Sequence, residues 1–315
     1  MNEIRPALLF PGQGSQRPGM GADLLGIPAA AKVFACASDV FGFDVGALCC
    51  AANAETINGA RNAQVAIATT SIAISEVLRE GGVAPSVLLG FSLGQISALA
   101  VSGMLSIEET FRLLDVRAHC MAVAAEDIPG AMCALMGADE SSAQALCREC
   151  AADEVLVIAN YNCPGQIVIS GNLAAIERAE IAWKGQSKRC IRLATAGAFH
   201  SPLMARAARV FLDYLASCTF AEPHTLILCN TDAAPLVAAG ARTRLADHLT
   251  HPVRFSQSVD VARCLGARVF LEVGCGGVLT NLVRRIDKGS ERGKVEGAAG
   301  LQTAIAAYGC KPNAR

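Results

Sequence analysis

The chain has 315 residues, of which 52% are hydrophobic and 17% are charged. This composition supports a large buried core and excludes a mostly disordered chain. The formal net charge is −1, with one Trp and three Tyr. Nucleic acid is therefore not an expected partner, because phosphates need a basic surface and bases need aromatic platforms.

The N-terminal apolar run is too short for a signal-peptide core, and no stretch approaches 18 uninterrupted apolar residues. Many of the 14 cysteines lie within apolar segments, where buried thiols behave as small hydrophobic residues. Cys147 and Cys150 have motif-like spacing, but no second pair follows at the spacing of a metal site. We therefore expect a reduced, cytoplasmic protein without a membrane segment or a bound metal.

The N-terminal part of the chain alternates short apolar strands with helices. Residues 7–10 and 86–90 are predicted to be buried strands, and residues 62–80 have apolar positions at helical spacing that end at a Gly pair. Ser106, with a Glu three residues later, is a capping box that opens a helix over 106–125. This alternation predicts a parallel sheet covered by helices.

A different order, βαββαβ, is predicted between about residues 130 and 197, and it is typical of a ferredoxin-like unit. Strand-like segments at 226–230 and 267–274 then resume the larger unit. The last residues, rich in Gly, Ala and charge, are expected to form a partly ordered extension. The predicted domains are a catalytic core of residues 1–128 and 198–290, an inserted domain of residues 129–197, and an extension of residues 291–315.

The sequence GFSLG, residues 90–94, places Ser92 between two glycines, after a predicted strand and before a predicted helix. Gly-x-Ser-x-Gly in this context is the signature of a nucleophile elbow, whose sharp turn exposes the hydroxyl above the sheet edge. A plain strand–helix turn also favours Gly and Ser. The strand–turn–helix context favours the nucleophile.

A nucleophilic serine needs a base, and His200 lies where the inserted unit returns to the core, at the place where a cleft forms. On position alone, His200 is equally compatible with a structural role. The other histidines are His119, His224, His248 and His251. Because no Asp stands at an obvious strand end between Ser92 and His200, we expect a Ser–His dyad whose imidazole is oriented by some other acceptor.

Arg117 borders the apolar stripe of the helix predicted over 106–125. A guanidinium there either extends to water or pairs with an anion, and a carboxylated acyl substrate would favour pairing. The segment FPGQGSQ, residues 10–16, is neither a Walker loop nor a dinucleotide fingerprint. Its Gln13 is either part of a polar turn or a donor to an oxyanion.

Seven blocks of sequence together resemble the malonyl-CoA:acyl carrier protein transacylases and the acyltransferase domains of polyketide and fatty acid synthases. They run in order over residues 5–286: FPGQGSQ, GFSLGQISAL, LLDVRAHCM, NYNCPGQIVISG, AGAFHSPLM, HPVRFSQSV and LEVGCGGVLTNLVRRI. The resemblance implies an α/β fold, with an α/β-hydrolase-like parallel-sheet core and an inserted ferredoxin-like small domain.

The resemblance also implies a role for each matching residue. Ser92 would be acylated, His200 would act as base and then acid, and Arg117 would hold the malonyl carboxylate. Gln13 and the backbone N–H of Leu93 would form the oxyanion hole. A main-chain carbonyl would orient the histidine, in agreement with the missing Asp.

The same resemblance assigns the pocket. Phe199 is similar to members that take malonyl rather than methylmalonyl units, and Asn160 and Asn162 would line the small-domain side of the cleft. Three positions depart from the family pattern: Phe91 for the usual His, Gln95 for the usual Glu, and Arg254 where relatives often have Gln near the base. Phe91 would make the pocket more apolar.

The expected reaction is ping-pong transfer of malonyl from malonyl-CoA to the phosphopantetheine thiol of acyl carrier protein, in fatty acid synthesis. The expected partners are the coenzyme A thioester and acyl carrier protein, with no cofactor, nucleic acid or membrane, and the protein is expected to be a monomer. A polyketide assembly line or a malonate decarboxylase system is the alternative setting. A hydrolase and a non-catalytic carrier-protein binder are the other classes considered.

Overall fold

The computed structural model describes residues 4–195 and 197–310. Within these residues the strands are β1 (Ala7–Phe10), β2 (Val87–Gly90), β3 (Gly130–Met136), β4 (Leu156–Cys163), β5 (Gln166–Asn172), β6 (Cys190–Arg192), β7 (Ile227–Leu228), β8 (Val269–Val273) and β9 (Glu291–Val295). The α-helices are α1 (Pro28–Phe41), α2 (Val45–Ala51), α3 (Ala54–Asn58), α4 (Ala60–Glu80), α5 (Gly94–Ser102), α6 (Ile107–Asp127), α7 (Glu140–Ala151), α8 (Leu173–Gly185), α9 (Ala205–Leu215), α10 (Ala241–Asp247), α11 (Phe255–Cys264), α12 (Val278–Ile286) and α13 (Ala298–Tyr308).

The larger sheet has the strand order β7-β2-β1-β8-β9, and all of these neighbours run parallel. Its central strands are short and fully buried, as expected for a parallel sheet covered on both faces. Leu8 and Leu88 belong to the core on one face, whereas Leu9 and Leu89 belong to the core on the other. The predicted parallel-sheet core is confirmed.

The smaller sheet is antiparallel, with the order β4-β5-β3-β6. The helices α7 and α8 pack on it around a separate core that includes the buried Trp183. The element order from β3 to β6 is the βαββαβ order expected from the sequence.

A short backbone connection joins the smaller sheet to the larger part. The Tyr161 N–H of β4 donates to the carbonyl of Val253 (2.9 Å), and the Val253 N–H donates to the carbonyl of Ala159 (2.8 Å). This pairing holds β4 beside the segment that leads into α11. A cavity lies between the end of β2 and the smaller sheet, lined among others by Ser92 and Asn160.

Local signals account for the main helices. Ser106 and Glu109 form the capping box that opens α6, as predicted. The helix expected over 62–80 is α4, and it ends at Gly81. The strand expected over 226–230 is shorter, because the chain turns back after Leu228 and the Cys229 N–H bonds to the Ala234 carbonyl.

The expectation of a C-terminal extension beyond residue 290 is wrong for the residues described. The strand β9 pairs in parallel with β8, and α13 packs against α4 and β9 with Leu301 and Ala304 buried. The Gly and Ala content that indicated loose structure instead permits close packing, since a Cβ at Gly309 would lie 2.5 Å from the carbonyl oxygen of Gly81. The end of the predicted extension, residues 311–315, lies outside the described residues.

In the part of the chain described, no single helix has both the length and the apolar character needed to cross a membrane. Only α1 and α2 together meet those criteria, and a 111° bend separates them. Both helices contribute side chains to the main core, including Val33, Phe34 and Val45.

The packing of α13 gives a stability prediction. Leu301→Ala should lower the free energy of unfolding by about 2–5 kcal/mol, because Leu301 is 2% exposed and its truncation leaves a cavity. Urea titration of the purified variants measures the change. The control Gln302→Ala, at the next and exposed position, should change it by less than about 0.5 kcal/mol. Equal stabilities for Leu301→Ala and the wild type would mean that α13 adds nothing to the core.

Candidate active site

Ser92 occupies a tight left-handed turn between β2 and α5, with a φ of 50°. Glycine is required on both sides of this turn. A Cβ at Gly90 would lie 2.1 Å from the Gln95 nitrogen, and one at Gly94 would lie 2.0 Å from the carbonyl oxygen of Phe10. The turn has the geometry of the nucleophile elbow that the Gly-x-Ser-x-Gly pattern predicts.

His200 lies within hydrogen-bond distance of this serine. Its Nε2 is 2.8 Å from Ser92 Oγ, and its Nδ1 is 2.8 Å from the carbonyl oxygen of His248. The Nδ1–H donates to that carbonyl, so Nε2 is free to accept the serine proton. A backbone acceptor thus takes the place of the missing Asp, and the residue that supplies it is His248.

The imidazole of His200 is neutral at pH 7. Burial and the nearby Arg117 cation lower its pKa to about 4, against the opposing effect of its hydrogen bond to the His248 carbonyl. The ring of His248 packs beside it, with centroids 5.1 Å apart, and burial lowers the pKa of His248 as well. Neither ring nitrogen of His248 has a hydrogen-bond partner among the described residues.

Arg117 is 1% exposed on α6, which excludes the interpretation that it extends to water. Its Nη1 donates to Gln64 Oε1 at 3.2 Å, and its Nη2 lies 3.5 Å from Ser92 Oγ. Its Nε has no partner, and no carboxylate among the described residues contributes to its pKa, which burial alone lowers to about 10. A buried cation without an anion is unfavourable, so this site is suited to an anionic ligand.

A cavity of about 90 Å³ lies between Ser92 and the smaller sheet. It is lined by Gln13, Gln64, Phe91, Ser92, Leu93, Arg117, Met121, Met132, Asn160, Leu193, Thr195, Phe199 and His200. It suits a short acyl group rather than a long chain.

Asn162 does not join Asn160 in this lining, contrary to expectation. The two residues lie on β4, where positions two apart normally share a face. The pairing of β4 with β5 shifts register between Tyr161 and Cys163, however, and Asn162 lies at that irregularity. Its side chain is buried, with an Oδ1 that has no partner among the described residues.

The three departures from the family pattern have defined contacts. The ring of Phe91 lines the cavity and packs edge-on against Phe255, with centroids 5.5 Å apart. Gln95 is buried beneath the turn. Arg254 donates from Nε to the Thr231 carbonyl at 3.1 Å. The acceptor that orients the base lies six residues before Arg254, at His248.

Sequence reasoning missed Gln64, Asn230 and His248. Gln64 is the one long polar side chain among the buried residues of α4, which are otherwise apolar, Ser or Thr, and that is a signal that could have been used. Asn230 follows β7 at the carboxyl edge of the sheet, where functional side chains gather. His248 acts through its carbonyl, for which the sequence carries no signal.

Within the described residues, no group of three or more His, Cys, Asp or Glu side chains could hold a metal ion. Cys147 and Cys150 are free thiols on α7, in the core of the smaller sheet. Burial raises the pKa of Cys147 to about 12, which makes its thiol a poor metal ligand near neutral pH.

The chain has many relatives among known proteins. The acyl transferase domain family matches residues 7–304. The malonyl CoA-acyl carrier protein transacylase of Bacillus subtilis is 36% identical over 286 residues, covering 90% of each chain. The protein of the same name from Escherichia coli K12 is 37% identical over 284 residues, covering 89% of this chain and 92% of its own.

Solved structures of similar proteins support the same family relationship. A malonyl-transacylase in complex with a type II PKS acyl-carrier protein has a TM-score of 0.92 and 36% identity, covering 96% of this chain and 99% of its own. The malonyl-CoA:acyl carrier protein transacylase of Xanthomonas oryzae has a TM-score of 0.93 and 33% identity, covering 98% of this chain and 100% of its own.

The chain therefore belongs to the acyl transferase domain family, and it is an acyltransferase. The resemblance to malonyl-CoA:acyl carrier protein transacylases seen in the sequence is confirmed, and so is the fold class that it implied.

The low pKa of His200 gives a pH prediction. Only the neutral imidazole accepts the serine proton, and lowering its pKa moves the acid limb of reactivity to lower pH. The rate at which a fluorophosphonate labels Ser92 should be constant from about pH 8 to about pH 5.5 and fall toward pH 4. Intact mass spectrometry measures the labelling. A midpoint near the ordinary histidine pKa, about 6.5, would contradict the lowered pKa of the base.

Proposed function

We propose that this acyltransferase moves the malonyl group of malonyl-CoA to the phosphopantetheine thiol of acyl carrier protein, through a malonyl ester on Ser92. The observation that carries the proposal is the buried guanidinium of Arg117, which has no carboxylate partner among the described residues and lies beside the serine hydroxyl. Malonyl differs from acetyl by one carboxylate, and a guanidinium binds a carboxylate through paired hydrogen bonds. The names of the relatives support the same reaction.

In the first half-reaction, His200 Nε2 takes the Ser92 proton as Oγ attacks the thioester carbonyl. The Leu93 N–H and Gln13 stabilise the tetrahedral oxyanion, and one such donor contributes about 3–4 kcal/mol. The carbon–sulfur bond then breaks, and the proton on His200 passes to the departing CoA thiolate. The Nδ1–H bond to the His248 carbonyl keeps the imidazole in the reactive tautomer.

In the second half-reaction the same groups work in reverse. His200 takes the proton of the phosphopantetheine thiol, the thiolate attacks malonyl-Ser92, and Ser92 recovers its proton. No atom changes oxidation state, so the scheme calls for no redox cofactor. Asn160 and Phe199 would shape the acyl pocket, and Phe91 makes its wall apolar.

The acyl carrier protein that accepts the malonyl group determines which biosynthetic pathway the enzyme supplies. The relatives include a transacylase solved with a type II PKS acyl-carrier protein, as well as transacylases of bacteria such as Escherichia coli. We propose fatty acid synthesis as the setting. Transfer to fatty acid and polyketide carrier proteins, measured side by side, distinguishes the two pathways.

The acyl-enzyme gives the primary test. Brief exposure to malonyl-CoA should add one malonyl mass to the intact protein, and Ser92→Ala should show no adduct. Addition of holo acyl carrier protein should then clear the adduct and malonylate the carrier. Release of free malonate as the main product would support a hydrolase instead, and the absence of any adduct would support a non-catalytic binder.

Substitution of Arg117 tests substrate choice. Arg117→Ala should lower kcat/KM for malonyl-CoA by about 100-fold or more, because the malonyl carboxylate is then buried without a partner. The kcat/KM of Arg117→Ala for acetyl-CoA should fall by a smaller factor than its kcat/KM for malonyl-CoA. Arg112→Ala, on the same helix but paired with Glu108 at the surface, is the matched control and should behave as wild type. An unchanged preference for malonyl in Arg117→Ala would exclude this role.

A further inference from the structure

Asn230 makes two side-chain hydrogen bonds to the serine turn. It follows β7 and is 1% exposed. Its Oδ1 accepts from the Ser92 N–H at 2.8 Å, and its Nδ2 donates to the Gly90 carbonyl at 2.7 Å. An amide carries an acceptor and a donor side by side, and both are used here on one turn.

The two bonded backbone groups lie on either side of Phe91, at the point where the chain leaves the strand. Ser92 has a left-handed φ of 50°, which a residue with a side chain adopts only when its surroundings hold it there. The amide of Asn230 fixes the peptide units on both sides of Phe91. It therefore sets the direction of the Ser92 side chain and of the Leu93 N–H that follows.

The backbone of Asn230 is held as well. Its N–H donates to Gln95 Oε1 at 2.9 Å, and its carbonyl accepts from the Arg254 N–H at 2.8 Å. Arg254 ends the segment that begins at His248, whose carbonyl binds His200. Asn230 thus bonds both to the turn that carries the nucleophile and to the segment that orients the base.

We propose that Asn230 is a positioning residue that fixes Ser92 relative to His200. It is not among the residues that line the cavity, and it acts through the backbone of the turn. The inference rests on the proposed use of Ser92 as nucleophile, whereas it does not depend on which acyl donor the enzyme takes. Displacement of a reacting group by about 1 Å typically costs about 100-fold in rate.

Asn230→Asp provides a selective test, because a neutral carboxyl group has the same shape as the amide and the same pair of bonds. Its carbonyl oxygen accepts from the Ser92 N–H, and its hydroxyl donates to the Gly90 carbonyl. The ionised form has no donor and repels that carbonyl. Burial raises the pKa of such a carboxyl group, so lowering the pH should restore the bond.

The ratio of a variant's labelling rate to that of wild type at the same pH removes the effect of titrating groups that both proteins share. The pKa values of His200 and His248 are lowered by burial and by nearby positive charge. Burial raises the pKa of the Cys229 thiol next along the chain, and Arg117 stays charged with a pKa of about 10. A change confined to Asn230→Asp is therefore due to the introduced carboxyl group.

The experiment measures the rate at which a fluorophosphonate labels Ser92, by intact mass, at a series of pH values between about pH 8 and about pH 5.5. Asn230→Ala should be about 100-fold slower than wild type throughout. Asn230→Asp should be equally slow at about pH 8 and should recover at least about 10-fold toward about pH 5.5. The control Asn172→Ala removes a similar bond, to the Val155 N–H, in the smaller sheet and should label as wild type.

Two results would overturn the proposal: labelling of Asn230→Ala at nearly the wild-type rate, or a ratio of Asn230→Asp to wild type that does not change with pH. Recovery at low pH also shows that the Asp variant is folded. Acylation by malonyl-CoA, measured on the same samples, separates the two levels of inference. If the wild-type enzyme reacts with the phosphonate but gains no malonyl, the proposed function is excluded. The labelling rates of the Asn230 variants still decide the role of Asn230.

Discussion

The turn at Ser92 is the constraint on which the rest of the site depends. The β2 strand reaches the turn beside β1 in the sheet, and α5 leaves it in contact with the backbone of Phe10. Only glycine fits at Gly90 and Gly94, so the serine is held on a backbone with little freedom. The base, the guanidinium and the smaller sheet are then arranged around a hydroxyl whose position is already fixed.

The polar groups behind the serine are supplied by the backbone and by amides rather than by a carboxylate. The His248 carbonyl holds the imidazole, and the Asn230 side chain holds the turn. A carboxylate next to His200 would stabilise the imidazolium and raise the pKa of the base. A neutral carbonyl orients the ring while the imidazole remains unprotonated at neutral pH.

Much of this arrangement could be predicted from the sequence, because some residue types in a given local pattern indicate a specific chemical role. Ser92 between glycines, a histidine at the domain junction and an arginine on an apolar stripe identified three groups that meet in one cleft. The C-terminal strand and helix were not recognised, since their Gly and Ala residues serve packing that only the tertiary fold reveals. The His248 carbonyl could not be predicted, because every residue has a carbonyl and only the chain path selects one.

The proximity of Arg117 and His200 links charge recognition to base strength. In the free enzyme the unneutralised guanidinium is one of the causes that weaken the imidazole as a base. An acyl group that brings its own carboxylate would cancel part of that field and make His200 more basic at the moment when it must take the serine proton. An acyl group without a carboxylate would meet the weaker base. Recognition of the substrate carboxylate and the basicity of His200 would therefore be coupled.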